Sequence, residues 1–122
     1  MRLVEFLTEE NNTQLARHYT DVLNTRYRPE GIPLKITTHL VDQINNTRNS
    51  PPINLGEIVD FFSKLLLKKK KILQELPDGS SLQVVDLESD IHIPFIKSQG
   101  ILVAATIMRG EMRRSAQRKV AI

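Results

Sequence analysis

Histidines and clustered basic residues are the side chains of this sequence whose chemistry suits a functional site. The three histidines, His18, His39 and His92, lie far apart along the 122 residues and are not paired at the spacing of metal ligands. His39 stands where a helix is expected to begin, and a partly buried imidazole there stays neutral near pH 7 and can act as a base. Taken alone, such a histidine is more often structural. His18 is expected on the surface of the first helix.

Most of the positive charge is concentrated in two stretches. Residues 1–63 carry six basic and eight acidic side chains, whereas residues 64–71 hold five lysines and residues 109–122 hold five basic groups against Glu111. Such residues can bind phosphate groups, but they equally suit a solvated helix end and a frayed tail. Arg109 directly follows a predicted strand, which would hold it in place. The basic residues concerned are Lys64, Lys68, Lys69, Lys70, Lys71, Arg109, Arg113, Arg114, Arg118 and Lys119.

The composition excludes several classes of protein. Without cysteine the chain has no disulfide framework, no thiolate nucleophile and no cysteine-based zinc site. It contains neither a glycine-rich phosphate loop nor a G-x-S-x-G motif, so no cofactor or metal is expected. No stretch reaches the roughly 18 uninterrupted apolar residues of a membrane span, and the first residues lack the apolar region of a signal peptide. We therefore expect one cytoplasmic domain over residues 1–122 without membrane contact, in which the basic segment 109–118 is flexible.

Apolar spacing and capping residues predict three helices in the first two thirds of the chain. The strongest opens with the capping-box pair Asn54 and Glu57 and runs until Pro77. The preceding elements are predicted as a short strand over residues 2–7, a helix over residues 9–25 behind a Thr8 cap, and a helix from Thr37 or Thr38 to Ser50.

Strand periodicity follows the third helix. The predicted strands cover residues 81–88, 91–97 and 101–108, and residues 119–122 can supply one more. The short links between the first three indicate antiparallel hairpins. Pro94 cannot donate a backbone hydrogen bond, which indicates an edge strand or a bulge, and His92 is expected on the face away from the core. The predicted fold is α+β, with N-terminal helices packed on a C-terminal antiparallel sheet of three to four strands.

The region of the second and third helices resembles a known family. It reads His39-Leu40-Val41-Asp42-Gln43-Ile44, then Arg48 and Ile53, then Val59-Asp60-Phe61-Phe62-Ser63-Lys64-Leu65. In the RelE/ParE-like toxin superfamily a histidine likewise opens a helix, followed by an acidic residue, an arginine, an isoleucine and a second helix. Within that superfamily the chain is most similar to the phage endoribonucleases that cut early transcripts. The likeness is most specific over residues 36–65 and looser over residues 34–122.

This resemblance implies metal-independent cleavage of mRNA. The 2′-hydroxyl of the RNA would attack the adjacent phosphate and leave a 2′,3′-cyclic phosphate. Such a reaction needs a base, an acid and cations that stabilise the charge on the phosphorus centre. The resemblance implies that His39 is the base and that Arg48 lies beside the phosphate. On this hypothesis Arg48 and Arg109 both stabilise the charge on the phosphate.

The sequence departs from the family at two positions. Ser63 stands at the place of the second catalytic histidine, and Gln43 replaces an arginine. Two explanations are open. In the first, another residue serves as the acid; the candidates are His92, Lys64 and Arg109, and we take His92. In the second, RNA cleavage was lost while the fold and the basic surface remained. In the first case the protein is an mRNA endoribonuclease, with the ribosome or an antitoxin as a further partner, in the host cytoplasm if a phage encodes it. In the second it is a non-catalytic module that binds nucleic acid or a host protein.

Overall fold

The computed structural model describes residues 3–44, 53–110 and 118–122, with side chains from residue 11 onward. Its helices are α1 (Leu3–Tyr27), α2 (Thr38–Ile44) and α3 (Leu55–Glu75), with a short 3₁₀ turn at Arg28–Glu30. Its strands are β1 (Leu34–Ile36), β2 (Ser81–Asp86), β3 (Ile91–Ser98), β4 (Ile101–Ala104), β5 (Met108–Arg109) and β6 (Arg118–Ala121). The α+β class is confirmed, with six strands in the described part where three to four were expected. None of the described helices is long and apolar enough to cross a membrane.

The sheet is mixed rather than antiparallel. Its strand order is β1-β4-β3-β2-β6, and β5 pairs with the first residues of β3. The β2/β3 and β3/β4 pairs are antiparallel, which confirms the predicted hairpins. β1 and β6 lie parallel to β4 and β2, so the prediction of a purely antiparallel sheet was wrong at its edges. β1 has only three residues, too few to show strand periodicity in the sequence.

Pro94 lies inside the sheet and not on an edge strand. β3 runs between β2 and β4. The ladder on one side of β3 is interrupted, because pairing with β4 begins at Phe95 and pairing with β5 ends at His92. A residue without a backbone N–H is tolerated at such a break.

The chain opens with a helix where the sequence suggested a strand. α1 begins at Leu3, so Thr8 lies inside the helix and does not cap it. Leu3, Phe6 and Leu7 fit helical spacing as well as alternation. A helix that has already nucleated extends at little cost, which favours continuation to this end.

The buried face of α1 does not include all the apolar residues that recur at helical spacing. Leu15 and Val22 are 39 % and 46 % exposed. Over residues 11–27, the buried residues of α1 are Ala16, Leu23, Asn24 and Tyr27. The contacts of α1 with β1 explain this burial pattern, because they turn a polar side chain, Asn24, toward the sheet.

Side chains of α1 close the outer edge of β1. Asn24 Nδ2 donates to the carbonyl oxygen of Leu34, and the N–H of Leu34 donates to Asn24 Oδ1, both at 2.8 Å. One turn earlier, Thr20 Oγ1 accepts from the N–H of Ile36 at 2.9 Å and lies 3.4 Å from its carbonyl oxygen. These bonds replace the partner strand that β1 lacks on this side.

α3 forms as predicted and supplies much of the core. Asn54 Oδ1 accepts from the N–H of Glu57 at 2.9 Å, and Glu57 Oε1 accepts from the N–H of Asn54 at 3.3 Å, which is the predicted capping box. The buried residues of α3 are Ile58, Phe61, Phe62, Leu65 and Leu73. The ring of Phe62 meets that of Phe95 from β3 edge to face, with centroids 5.9 Å apart. α3 therefore packs on the sheet through its apolar stripe.

Candidate nucleic-acid interface

Arg109 is held in place in β5, as predicted, but by an acidic partner. Its Nη2 donates to both carboxylate oxygens of Glu57, at 2.8 and 2.9 Å, and its Nη1 donates to the carbonyl oxygen of Ser89 at 2.7 Å. The side chain is 12 % exposed. A guanidinium paired in this way is already neutralised, which leaves little charge for a phosphate.

Lys64 is paired as well. Its Nζ lies 3.1 Å from Asp86 Oδ1 and 3.2 Å from Glu88 Oε2. The hydrogen bond to Asp86 is the main cause that raises the pKa of Lys64 above its usual value. Burial acts to raise the pKa of Asp86, but hydrogen bonds from Lys64 and from the N–H of Glu88 outweigh it, and this pKa is lowered. Both groups therefore stay ionised, and paired, over a wide pH range.

These two cations line one cavity of about 380 Å³ beside α3. The other described lining residues are Glu57, Asp60, Asp86, Glu88 and Ser89. Among the described residues four carboxylates face two cations, so this part of the lining is net negative and disfavours a phosphate. Across the described ranges, no group of three or more histidine or acidic side chains is arranged to hold a metal ion.

His92 is buried on β3 within a chain of polar contacts. Its Nε2 lies 3.0 Å from Asp90 Oδ1, and its Nδ1 lies 3.2 Å from Nε2 of the buried Gln83. Both ring nitrogens are thereby engaged within the protein.

His92 and Arg109 point to opposite faces of the sheet. In the register of β3 and β5, His92 stands opposite Met108, and Arg109 stands opposite the core residue Ile91. Side chains of paired residues share a face, and successive residues alternate. The predicted acid and the predicted charge-stabilising arginine are therefore not directed toward one phosphate.

His39 is exposed, which corrects the prediction of a partly buried group. It is the second residue of α2, and the two following residues, Leu40 and Val41, are buried. With both apolar neighbours turned into the core, the helix presents His39 to solvent. His18 on α1 is exposed, as predicted.

One contact ties α2 to the segment that leads into β5. Gln43, which stands where the family has an arginine, accepts a hydrogen bond from the N–H of Ile107 at 2.9 Å through its Oε1. Arg109 follows two residues later. His39 lies one turn before Gln43. The hydrogen bond therefore connects the helix that carries His39 to the residue that precedes β5. Arg48 lies outside the described residues.

Two polar contacts fix the direction of α3 across the sheet. In the middle of α3, Lys64 pairs with Asp86, the last residue of β2. Near its end, the buried Lys97 Nζ lies 3.4 Å from the carbonyl oxygen of Leu73. A cation at this place satisfies a helix carbonyl that lacks a partner in the helix. The last turns of α3 therefore lie over the first residues of β2.

Three of the predicted phosphate-binding cations belong to α3 and β6. Lys68 and Lys71 lie on the two sides of the kink at Lys69 and are exposed. Arg118 stands in β6, beside the first residues of β2, and is also exposed. In the part of the chain that the structure describes, none of Lys68, Lys71 and Arg118 forms an ion pair. We call these three residues the lysine surface.

The other predicted RNA-binding residues stand apart from this surface. Lys70 Nζ lies 3.3 Å from Glu30 Oε2. Lys69 is half-buried, and its φ of −130° and ψ of 21° interrupt the helix. Lys119 is exposed, but it follows Arg118 in β6 and so points to the opposite face. Arg113 and Arg114 lie outside the described residues.

A groove of about 580 Å³ between α1 and α3 is mostly apolar. Its apolar lining consists of Val22, Leu23, Tyr27, Val59, Phe62, Leu66 and Leu67, of which Leu67 is 85 % exposed. Its described polar lining consists of Thr25, Arg26, Glu30, Ser63 and Lys70, and Lys70 is paired with Glu30. Arg26 is therefore the one cation of this described lining that no carboxylate pairs.

A second groove, of about 570 Å³ between α1 and β1, has a different character. Among the residues whose side chains are described, its charged lining consists of Arg17, Arg28 and Lys35, with no acidic side chain. These cations were not predicted from the sequence, because the charge summed over residues 1–63 is dominated by acidic side chains. A signal was present, since the lining residues Thr13, Arg17, Thr20, Asn24 and Arg28 recur at intervals of three or four residues.

No protein-family model, no curated protein and no solved structure matches the chain. The RelE/ParE-like resemblance therefore rests on the sequence pattern alone, most specifically on residues 36–65.

Proposed function

We propose that this protein binds the phosphate backbone of RNA and does not cleave it. The observation that carries the proposal is the contrast between two sets of cations. Lys64 and Arg109 are neutralised by carboxylates, whereas the lysine surface is exposed and without ion pairs among the described residues. Unpaired surface cations are the groups that exchange counterions for phosphates.

The arrangement of the other groups favours binding over cleavage. Both ring nitrogens of His92 are engaged, and its side chain lies on the face opposite Arg109. Cleavage requires a base and an acid that reach one phosphate. RNA is the preferred nucleic acid because of the resemblance to RNA-directed toxins. A cytoplasmic location, inside an infected host if a phage encodes the chain, accompanies this proposal.

Fluorescence anisotropy with a labelled 20-nucleotide RNA of mixed sequence tests the proposal. The wild-type protein should bind in the micromolar range and lose affinity steeply with salt. The variant K68A/K71A/R118A should bind at least about tenfold more weakly, and its salt slope should fall by about 2, at roughly 0.7 for each lost contact with a single strand. Lys70→Ala is the matched control, because that lysine is already paired, and it should bind nearly as well as the wild type. Equal affinity and slope for the triple variant would contradict the proposal.

A second candidate is the endoribonuclease that the family resemblance implies. It is favoured by His39, which is exposed on α2. The hydrogen bond from Ile107 to Gln43 connects the same helix to the segment before Arg109. The same labelled RNA, incubated with protein in EDTA, distinguishes the two. Cleavage to a cyclic phosphate that His39→Ala abolishes would establish the enzyme and refute the non-cleaving module.

A further inference from the structure

We propose that the groove between α1 and β1 is a second binding track for an RNA backbone, with Arg17, Arg28 and Lys35 as its phosphate ligands. This inference rests on the proposed function in one respect, that the bound polymer is RNA. The track itself is separate from the lysine surface and is built from other elements.

The local folding of α1 and β1 brings the three cations to one groove. Arg17 of α1 and Arg28 of the adjoining 3₁₀ turn line the groove, together with the edge-closing Thr20 and Asn24. Lys35 alternates with buried neighbours in β1 and is therefore turned outward. The hydrogen bonds between α1 and β1 hold the two walls of the groove in a fixed relation.

The cations of the groove have no carboxylate partner among the residues whose side chains are described. Neither Arg17 nor Arg28 nor Lys35 forms an ion pair with any residue that the structure describes. Asp21 lies one turn after Arg17, but it does not line the groove and forms no ion pair with Arg17. Thr38 adds a hydroxyl to the lining. Guanidinium forks and hydroxyls are donors suited to phosphate oxygens.

The spacing of the cations suits a chain of phosphates rather than a single ion. Arg17 and Arg28 are separated by eleven positions along a continuous run of helix and 3₁₀ turn. At about 1.5 Å per residue their backbones lie about 16 Å apart. Positive charge is thus distributed along the groove, as an extended polyanion requires.

The two tracks lie at opposite edges of the sheet. The groove borders β1, and Arg118 of the lysine surface stands in β6, with three strands between them. Four steps of about 4.8 Å separate the two edges by about 19 Å. An RNA long enough to contact both tracks gains affinity, because the second contact is intramolecular.

The test compares two triple variants that each remove three positive charges. R17A/R28A/K35A empties the groove, and K68A/K71A/R118A empties the lysine surface. Binding of a labelled 40-nucleotide RNA of mixed sequence is measured by anisotropy over a series of salt concentrations. Each variant should lose at least about tenfold in affinity and about 2 in salt slope. The variant R17K/R28K keeps the charges and should keep the slope, whereas loss of binding there would point to a structural effect and overturn the assignment.

The outcomes separate the inference from the proposed function. If only the groove variant binds like the wild type, the second track is refuted and the lysine surface stands. If only the lysine-surface variant binds like the wild type, the groove stands and the function as proposed fails. If both bind like the wild type, both are refuted. A polyglutamate peptide that binds the groove as tightly as an RNA of equal charge would overturn the assignment of phosphate as the ligand.

Discussion

The hydroxyl of Tyr27 at the end of α1 donates to the backbone carbonyl oxygen of Phe62 in α3, at 2.6 Å. The two rings also meet edge to face, with centroids 5.9 Å apart. Tyr27 is 1 % exposed, and its burial raises the pKa of the phenol far above the usual value. One side chain therefore joins the two long helices through both packing and a hydrogen bond.

Replacing Tyr27 by Phe should lower the free energy of unfolding by about 1 kcal/mol, since the ring is kept and one buried hydrogen bond is lost. Urea unfolding measures this change. The sequence has two tyrosines, so the variant Tyr19→Phe leaves Tyr27 as the one phenol. A free tyrosine has a pKa near 10. In this variant, ultraviolet absorbance should show no phenolate at pH about 11 while the protein stays folded. A phenolate signal from the folded variant at that pH would show that Tyr27 is not buried as described.

Acid should weaken the link between α3 and β2. The pKa of Asp86 is lowered in the folded state, so its contribution to stability is present above its ordinary value of 3.8 and is lost as the pH falls through the folded value. The raised pKa of Lys64 has the opposite sign, and its contribution is lost only in strong alkali. In urea unfolding, Asp86→Asn should be less stable than the wild type by on the order of 1 kcal/mol at pH 7. That difference should shrink as the pH is lowered below 3.8, and a difference that stays constant there would contradict the assignment.

Glu57 should contribute more to the stability of the fold than its capping partner Asn54. Its carboxylate completes the cap of α3 and also binds Arg109. Glu57→Ala should lower the free energy of unfolding by about 2–3 kcal/mol, because it removes the half of the capping box that the Glu57 side chain makes and the carboxylate that binds Arg109. Asn54→Ala removes the cap alone and should cost about 1 kcal/mol. Thermal and urea unfolding of the two variants give the comparison, and equal losses would show that the pair with Arg109 contributes nothing.

The edge-closing role of Asn24 predicts an unusually costly substitution on α1. Asn24→Ala should lower the free energy of unfolding by about 2 kcal/mol, because two buried hydrogen bonds to Leu34 are lost and its backbone groups are left without partners. Asn11→Ala on the exposed side of the same helix is the control and should change little. Hydrogen exchange at the amide of Leu34 should accelerate in the first variant alone. Unchanged exchange there would argue against the contact.

Features that depend on nearby residues were predictable from the sequence, and features that depend on distant contacts were not. The capping box and apolar stripe of α3 lie within a few turns of each other, so their pattern is visible in the chain. β1 is defined by side chains of α1 and by a parallel partner far along the chain, and no local signal reveals it.

The same distinction governs the candidate site. The sequence identifies Arg109 and Lys64 as cations, but their carboxylate partners lie 52 and 22 residues away. Only the fold shows that these charges are cancelled. Arg17, Arg28 and Lys35 were overlooked for the opposite reason, because the acidic side chains that are described among those that balance them in the sum, such as Asp21, do not line their groove.

The closed edge of β1 also bears on self-association. Thr20 and Asn24 already occupy the backbone groups that an incoming strand would need, so another chain cannot add at that side of the sheet. At the β6 side the exposed Arg118 and Lys119 oppose the approach of a like-charged copy. Hydrogen bonds are insensitive to ionic strength, whereas repulsion between surface charges is screened by salt. Strand-to-strand aggregation of the folded protein at high salt should therefore be directional and start from β6.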